Sequence, residues 1–211
     1  MSGSDPDAAK RNEAMLDMAS AVRDLVAATV RTARGPGVLN VVAAQVREAT
    51  DLLSRETHPG HFSGLQAEVD LREPHSYLPL TPMAGLYNPI APPLNLWVKG
   101  SRTFGSVRLG RAHTGPPGRA HGGSSASLCD QILGVAAWSV GFQGFTTEIW
   151  VRFLRPVPLD VDLQLEAWVA TRDATTAHAE AVIRRDGTDL VTASGELVLA
   201  ESLIRKPDRA V

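Results

Sequence analysis

The chain has 211 residues, 44% hydrophobic and 21% charged, with 21 basic against 23 acidic side chains and a formal net charge of −2. That length suits one domain, or one domain with a substantial extension, and it is enough for a conventional buried core. The charge balance lacks the basic excess of a nucleic-acid binder and the bias of a disordered tail, so no polyanionic partner is expected.

A single cysteine, Cys129, excludes an internal disulfide framework and a cysteine-rich zinc site, and it fits a reducing, cytoplasmic setting. The opening MSGSDPDAAKRNEA has no apolar h-region, and no later stretch supplies the ~18 uncharged apolar residues of a membrane span. The protein is expected to be neither secreted nor membrane-spanning. Walker, dinucleotide-binding, zincin and nucleophile-elbow signatures are absent from the sequence.

Taken in chain order, Asp5 to about Arg55 reads as helix, broken at Gly35-Pro36-Gly37 into two. Met15, Met18, Val22, Leu25 and Val26 recur at helical spacing in the first, and Val42, Val46, Ala49 and Leu53 in the second. Each apolar stripe must bury against the body of the protein or a partner. From His58 to Pro93 seven prolines rule out a regular element and suit an ordered wrap over a surface. The division expected is a helical N-terminal extension at 1–70, a main body at 71–203 and a tail at 204–211.

After residue 94 the hydrophobic period switches to two. Leu163, Leu165, Ala167 and Val169 share one face while Asp162, Gln164, Glu166 and Trp168 share the other. Similar runs at 107–112, 146–154, 176–185 and 188–200 predict further strands, and Asp186-Gly187 predicts a hairpin turn. Gly122 to Ser139 differs: Ala126, Cys129, Leu133 and Ala136/Ala137 recur every three to four residues, so this is a helix rich in small residues. No helix follows residue 139 to cross between parallel strands. The class is therefore α+β, an antiparallel sheet with one helix packed on its face.

The stretch that carries chemistry is GPPGRAHGGSSASLCD, residues 115–130. Gly115 to Gly118 make a tight turn, and His121-Gly122-Gly123 lead into the helix whose first turn holds Ser124 and Ser125. A helix N-terminus presents unpaired N–H groups at the positive end of the macrodipole, and glycine lets a ligand approach them. Gly122 is thus a candidate half of an oxyanion site. Asp130 follows on the same helix among Leu128, Cys129 and Ile132, an apolar setting in which a carboxylate needs a reason to exist.

His121-Gly122-Gly123, Asp130 within a helix, Thr146 early in the next strand, and Arg155-Pro156-Val157-Pro158 at that strand's end resemble the hotdog-fold acyl-CoA thioesterases. The likeness is in particular to the phenylacetate-pathway and mitochondrial thioesterase-superfamily types. The resemblance spans about residues 85–202 and includes Asn88-Pro89-Ile90-Ala91-Pro92-Pro93 before the first strand. It implies a hotdog fold, a long helix wrapped by a five- or six-stranded antiparallel sheet. It also implies an assembly of at least two copies and hydrolysis of fatty or aromatic acyl-CoA without metal or organic cofactor. Carried over by position, Asp130 is the general base or nucleophile, the Gly122 N–H polarises the thioester carbonyl, His121 orients it, and Thr146 positions the water or carboxylate. Gly123, Thr147 and Arg155 are the candidate substrate-binding residues. One departure is visible: several relatives carry an asparagine six residues before the histidine, where this chain has Gly115.

Spacing gives an independent argument about assembly. Gly122 and Asp130 are eight residues apart on one helix, about 12 Å, too far for both to touch one thioester. A site shared across a two-fold interface is expected, in a homodimer or dimer of dimers, with Ala126, Ser127 and Gly134 allowing close approach. Other features read as structural. Cys129 faces away from Asp130 and belongs to the core, and His58-Pro59-Gly60-His61 is an exposed loop rather than a metal site. His113 is left without a role. Two rival readings remain, a hotdog dehydratase or hydratase pairing His121 with Asp130, and a non-catalytic acyl-CoA binding module.

Overall fold

Helices α1 (Pro6–Thr29) and α2 (Pro36–Leu53) lead the chain in a computed structural model that describes residues 6–57 and 74–199. Pro36 opens α2, where its fixed φ suits a helix start and its missing N–H costs nothing, so the expected break falls where the sequence placed it. Helix α1 is docked on the body. Ala19 is fully buried, and Met15, Met18, Val22 and Leu25 are half-buried on the same side. Arg23 staples the contact: its Nε donates to the Ala91 carbonyl at 3.0 Å and its Nη2 to the Leu86 carbonyl at 2.9 Å.

Helix α2 is not docked on the described part of the body. It has no buried residue, and Val42, Val46 and Leu53 of its stripe are exposed, because no other described residue covers them. Val26 of the α1 stripe is also exposed. The boundary expected near residue 70, the tail from residue 204 and the His58–His61 pair lie outside the described residues.

The short helix α3 (Pro74–Tyr77) and a turn-rich run to Pro93 lead to β1 (Asn95–Lys99) and β2 (Arg102–Arg108), joined by a tight hairpin with Gly100 at φ 63°. The run at 107–112 is not the strand that alternation predicted. Pairing of β2 ends at Arg108 opposite Asp162, so Leu109 buries without a ladder partner, and Arg111–His113 winds into a 3₁₀ turn instead. His113 lies at the end of this turn.

Helix α4 (Gly122–Ser139) follows, then β3 (Gly144–Phe153), β4 (Asp162–Arg172), β5 (Thr176–Arg185) and β6 (Thr188–Leu199). The six strands form one antiparallel sheet in the order β1-β2-β4-β5-β6-β3. Asp186 at φ 49° and Gly187 at φ 75° make the two-residue turn between β5 and β6, both in the left-handed region such a turn requires. Helix α4 lies across one face, where Leu128, Ile132 and Leu133 bury completely against Leu163, Ile183 and Leu197. This is the helix-wrapped sheet of the hotdog fold. It leaves β3 and β1 as edges, and the ten-residue β3 is the longer of the two.

Candidate active site

The chain reaches the start of α4 through a turn that only glycine can make. Gly115 accepts no side chain, because a Cβ there would stand 2.8 Å from His121 Cα and 3.0 Å from His121 N. The asparagine of the resembled family therefore cannot occupy this position without displacing the His121 backbone. His121 is held on both sides: its N–H donates to the His113 carbonyl at 2.8 Å, and its Nδ1 accepts the Gly123 N–H at 3.0 Å as the cap of α4. With Nδ1 accepting, the neutral ring carries its proton on Nε2 and offers a donor. The Gly122 N–H forms no hydrogen bond to any other described residue.

Along α4 the residues sort by face. Leu128, Cys129 and Ile132 point into the sheet, whereas Gly123, Ser127 and Asp130 are exposed. Asp130 is thus not embedded among its apolar sequence neighbours. Successive helical residues point about 100° apart, so a residue flanked by core positions can still face outward. Cys129 is core as expected; burial, and secondarily the charge of Asp130, push its thiol up to about 12, far from a nucleophilic thiolate.

Helix α4 and β3 run antiparallel. The Phe153 ring lies 3.4 Å from where a Gly122 Cβ would stand, while at the other end of the strand Gly144 abuts Phe142, just beyond α4. Thr146 is half-buried near the start of β3, about 24 Å along the strand from Phe153 at ~3.4 Å per residue. Thr147 occupies a bulge and donates to the Glu196 carbonyl at 3.3 Å and to Glu196 Oε1 at 3.1 Å, a cross-strand tie. Arg155, just past Phe153, is exposed and donates from Nη1 to the Asp189 carbonyl at 2.7 Å. Within one chain, His121, Gly122 and Gly123 therefore form one group, Arg155 lies beyond the same end of β3, and Asp130 and Thr146 lie apart from it.

A cavity of about 760 Å³ opens beside the first turns of α4. His121, Gly123 and Ser127 face it from α4, Val22 and Val26 from α1, and Ile90 from the loop before β1. His113, to which the sequence assigned no role, also lines it. Burial lowers the pKa of its ring, partly opposed by the Gly110 carbonyl, and its buried Nδ1 has no hydrogen-bond partner among the described residues. Neither this histidine nor the α1 wall could be found from spacing, because the residues that meet here are up to about a hundred positions apart in the chain. Among the described residues no three His, Cys, Asp or Glu cluster as metal ligands, and no helix is long and apolar enough to cross a membrane.

Residues 117–192 match the family model of the thioesterase superfamily. A crystal structure of a thioesterase superfamily protein is 30% identical, with a TM-score of 0.77 over 87% of this chain and 94% of that one. The chain belongs to the thioesterase superfamily. That match is too long to be confined to the sheet and α4, so it takes in part of the chain before β1 as well. Thioesterase superfamily member 2 from zebrafish is similar at 19% identity and a TM-score of 0.48, over 51% of this chain and 81% of that one. A hypothetical thioesterase from Streptococcus pneumoniae, solved with coenzyme A, is 22% identical with a TM-score of 0.48, over 51% and 88%. No curated protein matches the chain.

Proposed function

We propose that this superfamily member is an acyl-CoA thioester hydrolase whose active sites are each built from two copies of the chain. The observation that carries the reading is the Gly122 N–H, unbonded at the positive end of α4 and beside a cavity into which His121 faces. In the proposed reaction the Gly122 N–H and His121 Nε2–H polarise the thioester carbonyl. Asp130 of the second copy takes a proton from water as the water oxygen adds to the carbonyl carbon, and Thr146 of that second copy positions the water. Collapse of the tetrahedral intermediate breaks the C–S bond, and the departing thiolate recovers the proton from Asp130. Direct attack by the Asp130 carboxylate is the variant of this step.

The capping bond supports hydrolysis over dehydration, because an Nδ1 that accepts from Gly123 leaves His121 as a donor rather than a base. Assembly is supported by the exposed edge strand β3 and by the uncovered face of α4 that presents Asp130. A cytoplasmic setting accords with the lone buried cysteine. Asp130→Asn keeps the shape and removes the charge, and thiol release from an acyl-CoA panel should then fall by at least about 100-fold. Near-native turnover by the folded variant would overturn this assignment.

A further inference from the structure

We infer that the cavity beneath α1 is the acyl pocket, and that α1, which lies outside the sheet-and-helix body, sets the length of acyl chain accepted. The inference rests on the hydrolase reading for the position of the thioester, but its geometry is independent of that reading. The cavity is lined by His121 and Gly123 at the start of α4 and by two largely apolar walls. One wall is α1, through Val22, Val26 and Ala27; the other is the loop carrying Ile90 and Pro92. Ile90 is 73% exposed and Val26 42%, so apolar side chains stand open to the cavity with no other described residue laid over them.

The walls are fixed to each other. Arg23, on the same helix turn as Val22 and Val26, bonds the carbonyls of Leu86, Asn88 and Ala91 on either side of Ile90. Moving α1 therefore moves both sides of the pocket. The alternative occupant, the phosphate-bearing arm of coenzyme A, finds its cationic partners already engaged. Arg108 makes a two-pronged pair with Asp162 at 3.0 Å, and Arg111 lies 3.6 Å from Asp160. The greater part of the lining is apolar, and a volume of about 760 Å³ falls within the usual range for small-molecule sites.

Each methylene that such a pocket removes from water strengthens binding about fourfold, so the position of the α1 wall translates into chain-length preference. The test narrows the pocket with Val26→Trp and widens it with Ile90→Ala, and reads the ratio of kcat/KM for dodecanoyl-CoA to that for butanoyl-CoA. Val26→Trp should lower that ratio at least about tenfold, with Ile90→Ala moving the optimum to longer chains. A ratio unchanged in both folded variants would assign the cavity to the coenzyme A arm, or to neither, and overturn the inference. Calorimetric Kd values for analogues in which a methylene replaces the thioester sulfur give the same contrast without turnover. If the parent protein releases no thiol but the Kd ratio shifts, the hydrolase reading fails and the pocket stands.

Discussion

His113 and Gly115 flank the turn that delivers His121, and each is constrained by what lies against it. Gly115 has backbone where a side chain would go, so the departure from the family's asparagine follows from close approach. His113 supplies the carbonyl that fixes His121 and keeps its own ring half-buried beside the cavity. Burial holds that ring below its ordinary value of 6.5. As pH falls through 6.5 the unfolded chain binds a proton that the folded chain refuses, so stability declines on the acid side and is fully present above it. His113→Phe should flatten the fall in Tm between about pH 7.5 and about pH 5.5, measured by thermal unfolding at both values; an unchanged slope would show that other groups cause it. The His-Gly-Gly turn was legible because its chemistry is local. Arg23 was not, because its carbonyl partners lie 63 to 68 residues away and only the fold brings them together.

At the scale of elements, α4 spans the residues its small-residue periodicity predicted, and β5 does likewise, since an isolated helix among strands and a strand before Asp186-Gly187 both have clear ends. Alternation failed at 107–112 because burial of Val107 and Leu109 mimics a strand after its pairing partner has run out. Exposure of Asp130 was misjudged for the reason that sequence neighbours are not helix-face neighbours. The outward stripe of α4 yields a prediction that separates folding from assembly. A Cβ at Gly134 meets nothing within 4 Å in the single chain, and replacing a mid-helix glycine gains about 0.5–1 kcal/mol of helix stability. Gly134→Leu should therefore leave the monomer folded while weakening the dimer, as read by sedimentation at several concentrations. A dimer of parental strength would show that nothing packs against this stripe.

Among the described residues, the α2 stripe, the α4 stripe around Asp130 and the β3 edge, where Trp150 is 69% and Phe145 62% exposed, are surfaces left uncovered. A long edge strand with exposed aromatics invites pairing with another chain. A two-fold axis beside α4 and β3 would cover two of these surfaces at once. It would also bring Asp130 of each copy toward Gly122 of the other, closing the 12 Å gap that helical rise imposes within one chain. Subunit mixing tests this directly. Gly122→Pro removes the one N–H in question at the first position of α4, where proline is tolerated, and His121 at φ −64° and ψ 137° already has the extended backbone that a following proline demands. Gly122→Pro and Asp130→Asn homodimers should each be nearly inactive. In their mixed dimer, one site would have both an intact Gly122 and an intact Asp130, and the other neither. Equal mixing forms half mixed dimers, so roughly a quarter of parental thiol release should return. Verified exchange of subunits with no recovery would mean that each site lies within a single chain, and the shared-site geometry would be wrong.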